Sequence, residues 1–107
     1  MSGGCFDYDQ YKIGYIADEI EKIIERNGRK KTDEELKAEF MPHNWYRDNP
    51  EDLYFYEYPQ KIIMQFKIAV VMLRQAEVYA HRIDWLLSGD DSEESFMKRL
   101  VKDLNKL

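Results

Sequence analysis

The sequence contains a single cysteine, Cys5, among its 107 residues. An internal disulfide is therefore excluded, and so is a zinc site built from several cysteines. Only five glycines and three prolines are present, and none of the glycines forms a phosphate-binding loop motif. The longest apolar run covers residues 68–73, whereas a transmembrane helix needs about 20 apolar residues.

The sequence also lacks an excess of positive charge, because its 16 Lys and Arg are outnumbered by 21 Asp and Glu, which gives a formal net charge of −5. Direct binding to nucleic acid normally requires a basic patch, so we expect none here. No membrane segment or signal peptide is indicated, because the N-terminus runs directly into Asp7 and Asp9. We therefore expect an intracellular, cytoplasmic protein whose partners carry the opposite charge.

Apolar residues recur at helical spacing in several segments, which predicts an all-α fold. We expect a small helical bundle of three main helices, over about 9–27, 60–87 and 93–107, plus one short helix. The short helix begins at the capping box formed by Thr32 and Glu35 and ends before Pro42. An irregular, aromatic-rich arm lies between helices 2 and 3. We expect residues 1–6 to be a flexible leader and residues 7–107 to be a single helical domain.

The helix over 60–87 carries an apolar seam with strict heptad spacing. It consists of Ile62, Phe66, Ala69, Leu73, Ala76, Ala80, Ile83 and Leu87. The seam can pack against the other helices of the same chain, or it can pair with a second copy. For the first case we expect one core that includes Ile20, Ile23, Phe66, Leu73, Ile83, Leu100 and Leu104.

The arm between Pro42 and Pro59 concentrates six aromatic side chains in a segment with no regular period. Tyr and Trp dominate the hot spots of protein–protein interfaces, because they bury a large area at low conformational cost. We predict that the partner-binding surface consists of four aromatic anchors and an acidic rim, namely Trp45, Tyr46, Tyr54 and Tyr56 with Asp48, Glu51, Asp52 and Glu57.

One cluster on the third helix has side chains that are typical of a metal-binding or ligand-binding site. Glu77, His81 and Asp84 have spacings that place them on one side of a helix, where they could hold a metal or a small ligand. The spacing departs from the Glu-x-x-His motif of di-metal bundles, and no nucleophile motif occurs. A partly buried structural histidine is the favoured interpretation, so we expect no catalytic residue, no metal and no cofactor.

These observations favour a small, non-enzymatic acidic protein that binds another macromolecule. Inhibitors and adaptors have this character, including the anti-defence proteins of phages and mobile elements. We expect a protein partner, for which a basic or nucleic-acid-binding protein would suit the acidic rim. The alternatives are a metal- or small-ligand-binding helical protein that uses Glu77, His81 and Asp84, and a structural homodimer through helix 60–87.

Overall fold

A computed structural model describes residues 5–107 and confirms the all-α class. Within this range the chain forms five α-helices and a short 3-10 turn, and it forms no strand beyond one isolated bridge. The helices are α1 (Gln10–Arg26), α2 (Asp33–Ala38), α3 (Trp45–Asp48), α4 (Gln60–Leu87) and α5 (Glu93–Asn105), and the 3-10 turn covers Pro50–Leu53. Three of the helices, α1, α4 and α5, are long, as the periodicity predicts.

Local capping sets the helix boundaries. The Thr32 hydroxyl accepts from the Glu35 amide, and the Glu35 carboxylate accepts from the Thr32 amide, so the predicted capping box begins α2. Ser92 caps α5 in the same way, with Ser95 as its partner. Gly28, with φ of 70°, follows α1 in the left-handed conformation that glycine adopts without strain.

Two details differ from the expectation between α1 and α4. The arm, residues 43–58, is not wholly irregular, because it contains α3 and the 3-10 turn. In addition, α2 ends at Ala38, so Phe40 lies beyond the helix instead of on its apolar face. Residues 1–4 of the expected leader lie outside the described part of the chain, whereas Phe6 already donates its amide to Asp84 at 3.1 Å.

The molecule is long and thin, with principal extents of 62 × 30 × 15 Å. Its radius of gyration is 19.7 Å, whereas a compact domain of this length has a radius of roughly 13 Å. Helix α1 packs antiparallel along α4, and α5 packs on the C-terminal half of α4. The chain by itself is therefore a slab about one or two helices thick.

The burial pattern corrects the predicted core. Among the described residues the buried apolar side chains are Ala17, Ile63 and Leu100. Of the seven expected core residues only Leu100 is buried: Ile23 is exposed, and the others are half-buried, namely Ile20, Phe66, Leu73, Ile83 and Leu104. The reason is that α1 docks beside the heptad seam of α4 and not on it.

Polar contacts fix α1 in that position. The Arg74 guanidinium donates to the Gly14 carbonyl at 3.3 Å, to Asp18 at 2.7 Å and to Glu21 at 3.0 Å. Gly14 is buried against Glu77, and a Cβ on Gly14 would lie 2.2 Å from the Glu77 Oε2 atom. The Glu77 carboxylate therefore occupies the space beside Gly14, and charged side chains of α4 line its contact with α1.

Candidate protein-binding surface

Hydrogen bonds hold the second half of the arm against the segment that follows α1. The Lys31 amide donates to the Leu53 carbonyl at 2.8 Å, and the Phe55 amide donates to the Arg29 carbonyl at 2.9 Å. Further along, the Tyr58 amide donates to the Asn27 side chain at 2.7 Å. The arm is thus a positioned segment of backbone and not a free loop.

Phe55 and its two neighbours separate onto opposite sides of this extended segment. The ring of Phe55 lies under three cations, with centroid distances of 5.2 Å to Arg26, 5.3 Å to Arg29 and 5.5 Å to Lys31. Because side chains alternate along extended backbone, Tyr54 and Tyr56 project away from that cluster. Tyr54 is 49% exposed and Tyr56 is 74% exposed.

Trp45 and Tyr46 have internal partners instead. The Trp45 indole donates to Asp52 at 2.8 Å, which ties α3 to the 3-10 turn. The Tyr46 hydroxyl donates to the Glu39 carboxylate at 2.5 Å, which ties α3 to the residues after α2. This hydrogen bond, together with desolvation, raises the pKa of Tyr46 to about 12. Both rings are half-buried, so they brace the arm.

The four predicted rim acids also differ in their exposure to solvent. Asp48, Glu51 and Glu57 are exposed, whereas Asp52 is half-buried as the acceptor of the Trp45 indole. The structure therefore presents two of the four predicted anchors and three of the four predicted acids at the surface.

The bases next to the arm are already paired. Arg29 binds Glu35 at 3.1 Å, and Lys31 binds Glu39 at 2.8 Å. Hydrogen bonds from the Thr32 backbone and from Lys31 hold the pKa values of Glu35 and Glu39, respectively, below their ordinary range. The cations at Phe55 thus have acidic partners, and within the arm Asp48 pairs with Arg47 at 3.3 Å, which leaves Glu51 and Glu57 as the other exposed rim acids.

Sequence reasoning missed Phe40 as a surface residue. Its ring is 90% exposed, and its backbone has φ of 52°, a left-handed conformation that is uncommon for a bulky residue. The sequence signal is weak, because Phe40 also completes a helical spacing with Leu36. The exposed ring on left-handed backbone makes Phe40 a further candidate for the surface of this region.

Tyr56 also belongs to a shallow cleft between the arm and α1. The cleft has a volume of about 180 Å³ and is lined by Ile23, Arg26, Phe55, Tyr56 and Tyr58. The rings of Tyr56 and Tyr58 meet edge-to-face with centroids 4.7 Å apart, and Tyr58 meets Phe66 of α4 at 5.3 Å. These ring contacts connect the exposed surface of the arm to the long helices.

The structure does not bring Glu77, His81 and Asp84 together as a metal site. Asp84 is fully buried, and it accepts from the Phe6 amide at 3.1 Å and from the Gln10 side chain at 3.3 Å. Residues 5–107 contain no group of three His, Cys, Asp or Glu side chains placed to hold a metal. Asp84 therefore connects the start of α1 to α4.

Glu77 and His81 do share a cleft between α1, α4 and α5, with a volume of about 320 Å³. The imidazole lies between the rings of Tyr11 and Trp85, with centroid distances of 6.1 and 5.3 Å. Desolvation, followed by the nearby charge of Arg82, lowers the pKa of His81. The imidazole thus lies between two aromatic rings in surroundings that favour its neutral form.

No helix within residues 5–107 is both long enough and apolar enough to cross a membrane. Comparisons of the chain with protein-family models, with curated proteins and with solved structures find no match.

Proposed function

We propose that this chain is a non-enzymatic protein-binding module of the inhibitor or adaptor type, and that the aromatic arm holds its partner. The observation that carries the proposal is the exposure of Tyr54 and Tyr56 on backbone that is hydrogen-bonded to the segment after α1. Exposed rings on positioned backbone lose little entropy on binding, which is the property of a preorganised anchor.

The charge around the two tyrosines favours a basic partner. Glu51 and Glu57 are exposed, and Asp48 is exposed while it pairs with Arg47 at 3.3 Å. Arg29 and Lys31 pair with Glu35 and Glu39. An acidic rim around apolar anchors speeds association with a basic surface and disfavours acidic competitors. The partner is therefore expected to be a basic protein, with a nucleic-acid-binding protein as one example.

The long helices have a supporting role in this proposal. The ring of Tyr58 meets Phe66 edge-to-face. The Asn27 side chain donates to the Tyr58 carbonyl and accepts from the Tyr58 amide, so the arm is attached to the ends of α1 and α4. In the predicted helical bundle, these helices form a rigid body that carries the arm at one end.

The test compares two double variants that each remove two exposed tyrosines. In Tyr54→Ala with Tyr56→Ala the arm loses its anchors, whereas Tyr15→Ala with Tyr79→Ala removes exposed rings from α1 and α4. Affinity capture from the native host identifies the partner of the unaltered chain, and titration calorimetry with the purified partner then measures binding. We expect the arm variant to bind at least about 30-fold more weakly, which corresponds to the loss of a hot spot.

The control variant is expected to bind as the unaltered chain does. Charge reversal of Glu51 and Glu57 to Lys should slow association, and more so at low salt. Unchanged binding by the arm variant would refute the proposal. Loss of the helical circular dichroism signal in that variant would also refute it, because the two rings would then be structural.

A further inference from the structure

The heptad seam of α4 is only partly covered within the described chain, because six of its eight residues are half-buried and Tyr58 of the arm contacts Phe66. None of its eight residues is buried, although the seam is the most regular apolar pattern in the sequence. Leu87 is 60% exposed and Ala76 is also exposed. A strict heptad of this length is typical of a surface that another helix covers.

The position of α1 shows which side of the slab the seam occupies. Tyr11 and Asp18 of α1 meet His81 and Arg74 of α4 on one side of the helix pair. At 100° per residue, Ala76 lies on the opposite side of α4 from these two residues.

Helix α1 contributes apolar residues to the same side. Ile16 and Ile23 lie far around α1 from Tyr11 and Asp18, and they are 54% and 41% exposed. Two adjacent antiparallel helices therefore present one apolar face. We name it the seam face, and it consists of Ile16, Ile20, Ile23, Leu73, Ala76, Ala80 and Leu87.

We propose that the seam face binds the same face of a second copy of the chain, so that two α1–α4 pairs form a four-helix bundle. The face carries no charged side chain for a charged partner to complement. A suitable occupant must itself offer an apolar helical face with small residues that permit close approach, and a second copy has that face by symmetry.

The surface area of the chain agrees with this occupant. The chain exposes 7955 Å², whereas a folded monomer of 12.9 kDa typically exposes about 6,300 Å². The excess of roughly 1,600 Å² per chain matches what each subunit of an obligate homodimer buries, since such interfaces total about 2,000–5,000 Å².

The experiment measures the mass of the full chain by light scattering, at micromolar and at submillimolar concentration. The expected mass is twice 12.9 kDa. Ala76→Glu and Ile16→Glu each place a charge on the seam face at an exposed position, so the monomer tolerates them. Both should raise the dissociation constant at least about 100-fold, because an unpaired carboxylate would be buried in the dimer.

The matched control is Ile68→Glu, which makes the same chemical change on α4 at an exposed residue outside the seam. It should leave the dimer intact, and circular dichroism should show the same helical content in all three variants. A monomeric unaltered chain would overturn the proposal. So would a dimer that both seam variants retain, or one that Ile68→Glu breaks as readily, since another face or another protein would then cover α4.

Discussion

A buried arginine joins α5 to α4, and its removal provides a sharp test of how the slab is held together. Arg82 is buried in α4, where its guanidinium lies 3.6 Å from the Asp91 carboxylate and 3.3 Å from that of Asp103. It also lies over the ring of Trp85, at 4.8 Å from the centroid. Asp91 precedes α5 and Asp103 lies within it, so one side chain holds both ends of that helix.

The expected cost of Arg82→Met follows from the burial of its partners. Breaking a buried ion pair by removing one member costs about 3–5 kcal/mol, because the other charge is left without compensation. Asp91 keeps its contact with Arg99, and the Nε atom of Arg82 has no hydrogen bond of good geometry. Both facts favour the lower end of the range, so we expect a loss of about 3 kcal/mol.

The assay is urea unfolding of the full chain at one fixed protein concentration, with Arg74→Met as the matched control. Arg74 pairs with Asp18 and Glu21, whose side chains are about half exposed, so its removal should cost only about 1 kcal/mol. Hydrogen exchange should show the loss of protection concentrated in α5 for Arg82→Met. If Arg82→Met destabilises the protein no more than Arg74→Met does, the buried cluster does not hold α5.

Two further predictions concern single side chains. Burial lowers the pKa of His81, so the unfolded state binds a proton more readily than the folded state does, and the free energy of unfolding falls as pH drops below the ordinary pKa of about 6.5. Urea melts at stepwise lower pH should show a smaller fall in the free energy of unfolding for His81→Gln than for the unaltered chain. An equal fall in both would show that His81 is not the group responsible. Ile63 is buried whereas its neighbour Met64 is 55% exposed, so Ile63→Ala should cost about 2–5 kcal/mol and Met64→Ala less than about 0.5 kcal/mol. Similar costs in urea unfolding would show that Ile63 does not belong to a closely packed core.

The boundaries of the long helices and the start of α2 could be predicted from the sequence because they depend on local chemistry. Thr32 with Glu35, Ser92 and Gly28 each act within one turn of the helix that they begin or end. The range 60–87 for α4 agrees with the structure for the same reason, since Pro59 and Ser88 delimit it. These signals do not depend on where the helix packs.

The direction in which α4 buries its side chains could not be predicted in this way. An apolar seam indicates that one face avoids water, but it does not identify the element that covers the face. In the structure the α1–α4 contact includes Gln10, Gly14, Arg74 and Asp84, which do not belong to an apolar stripe. These polar contacts join residues that are far apart in sequence, so no local pattern indicates them.

The candidate site was predictable as a segment but not residue by residue. The composition of the arm indicated an aromatic, acidic surface, yet Trp45 and Tyr46 are turned inward by Asp52 and Glu39. Tyr54 and Tyr56 stay outward because pairing with residues 28–31 fixes the alternation of the strand-like segment. The paired segments are separated in sequence by α2 and α3, so a local sequence pattern does not predict the pairing.

The thinness of the slab connects the two proposed interactions. With Ala17, Ile63 and Leu100 as its buried apolar side chains, the described chain buries little apolar surface against the entropy of ordering its backbone. Covering the seam face would add apolar burial, so association would further stabilise a chain that already folds as a monomer. The arm lies beyond this requirement, because Tyr54 and Tyr56 are held by backbone hydrogen bonds and are not needed to fill a core. A chain that completes its core with a second copy could still present Tyr54 and Tyr56 to a different partner, and the two surfaces would meet at Ile23, which lines the cleft beside Tyr56.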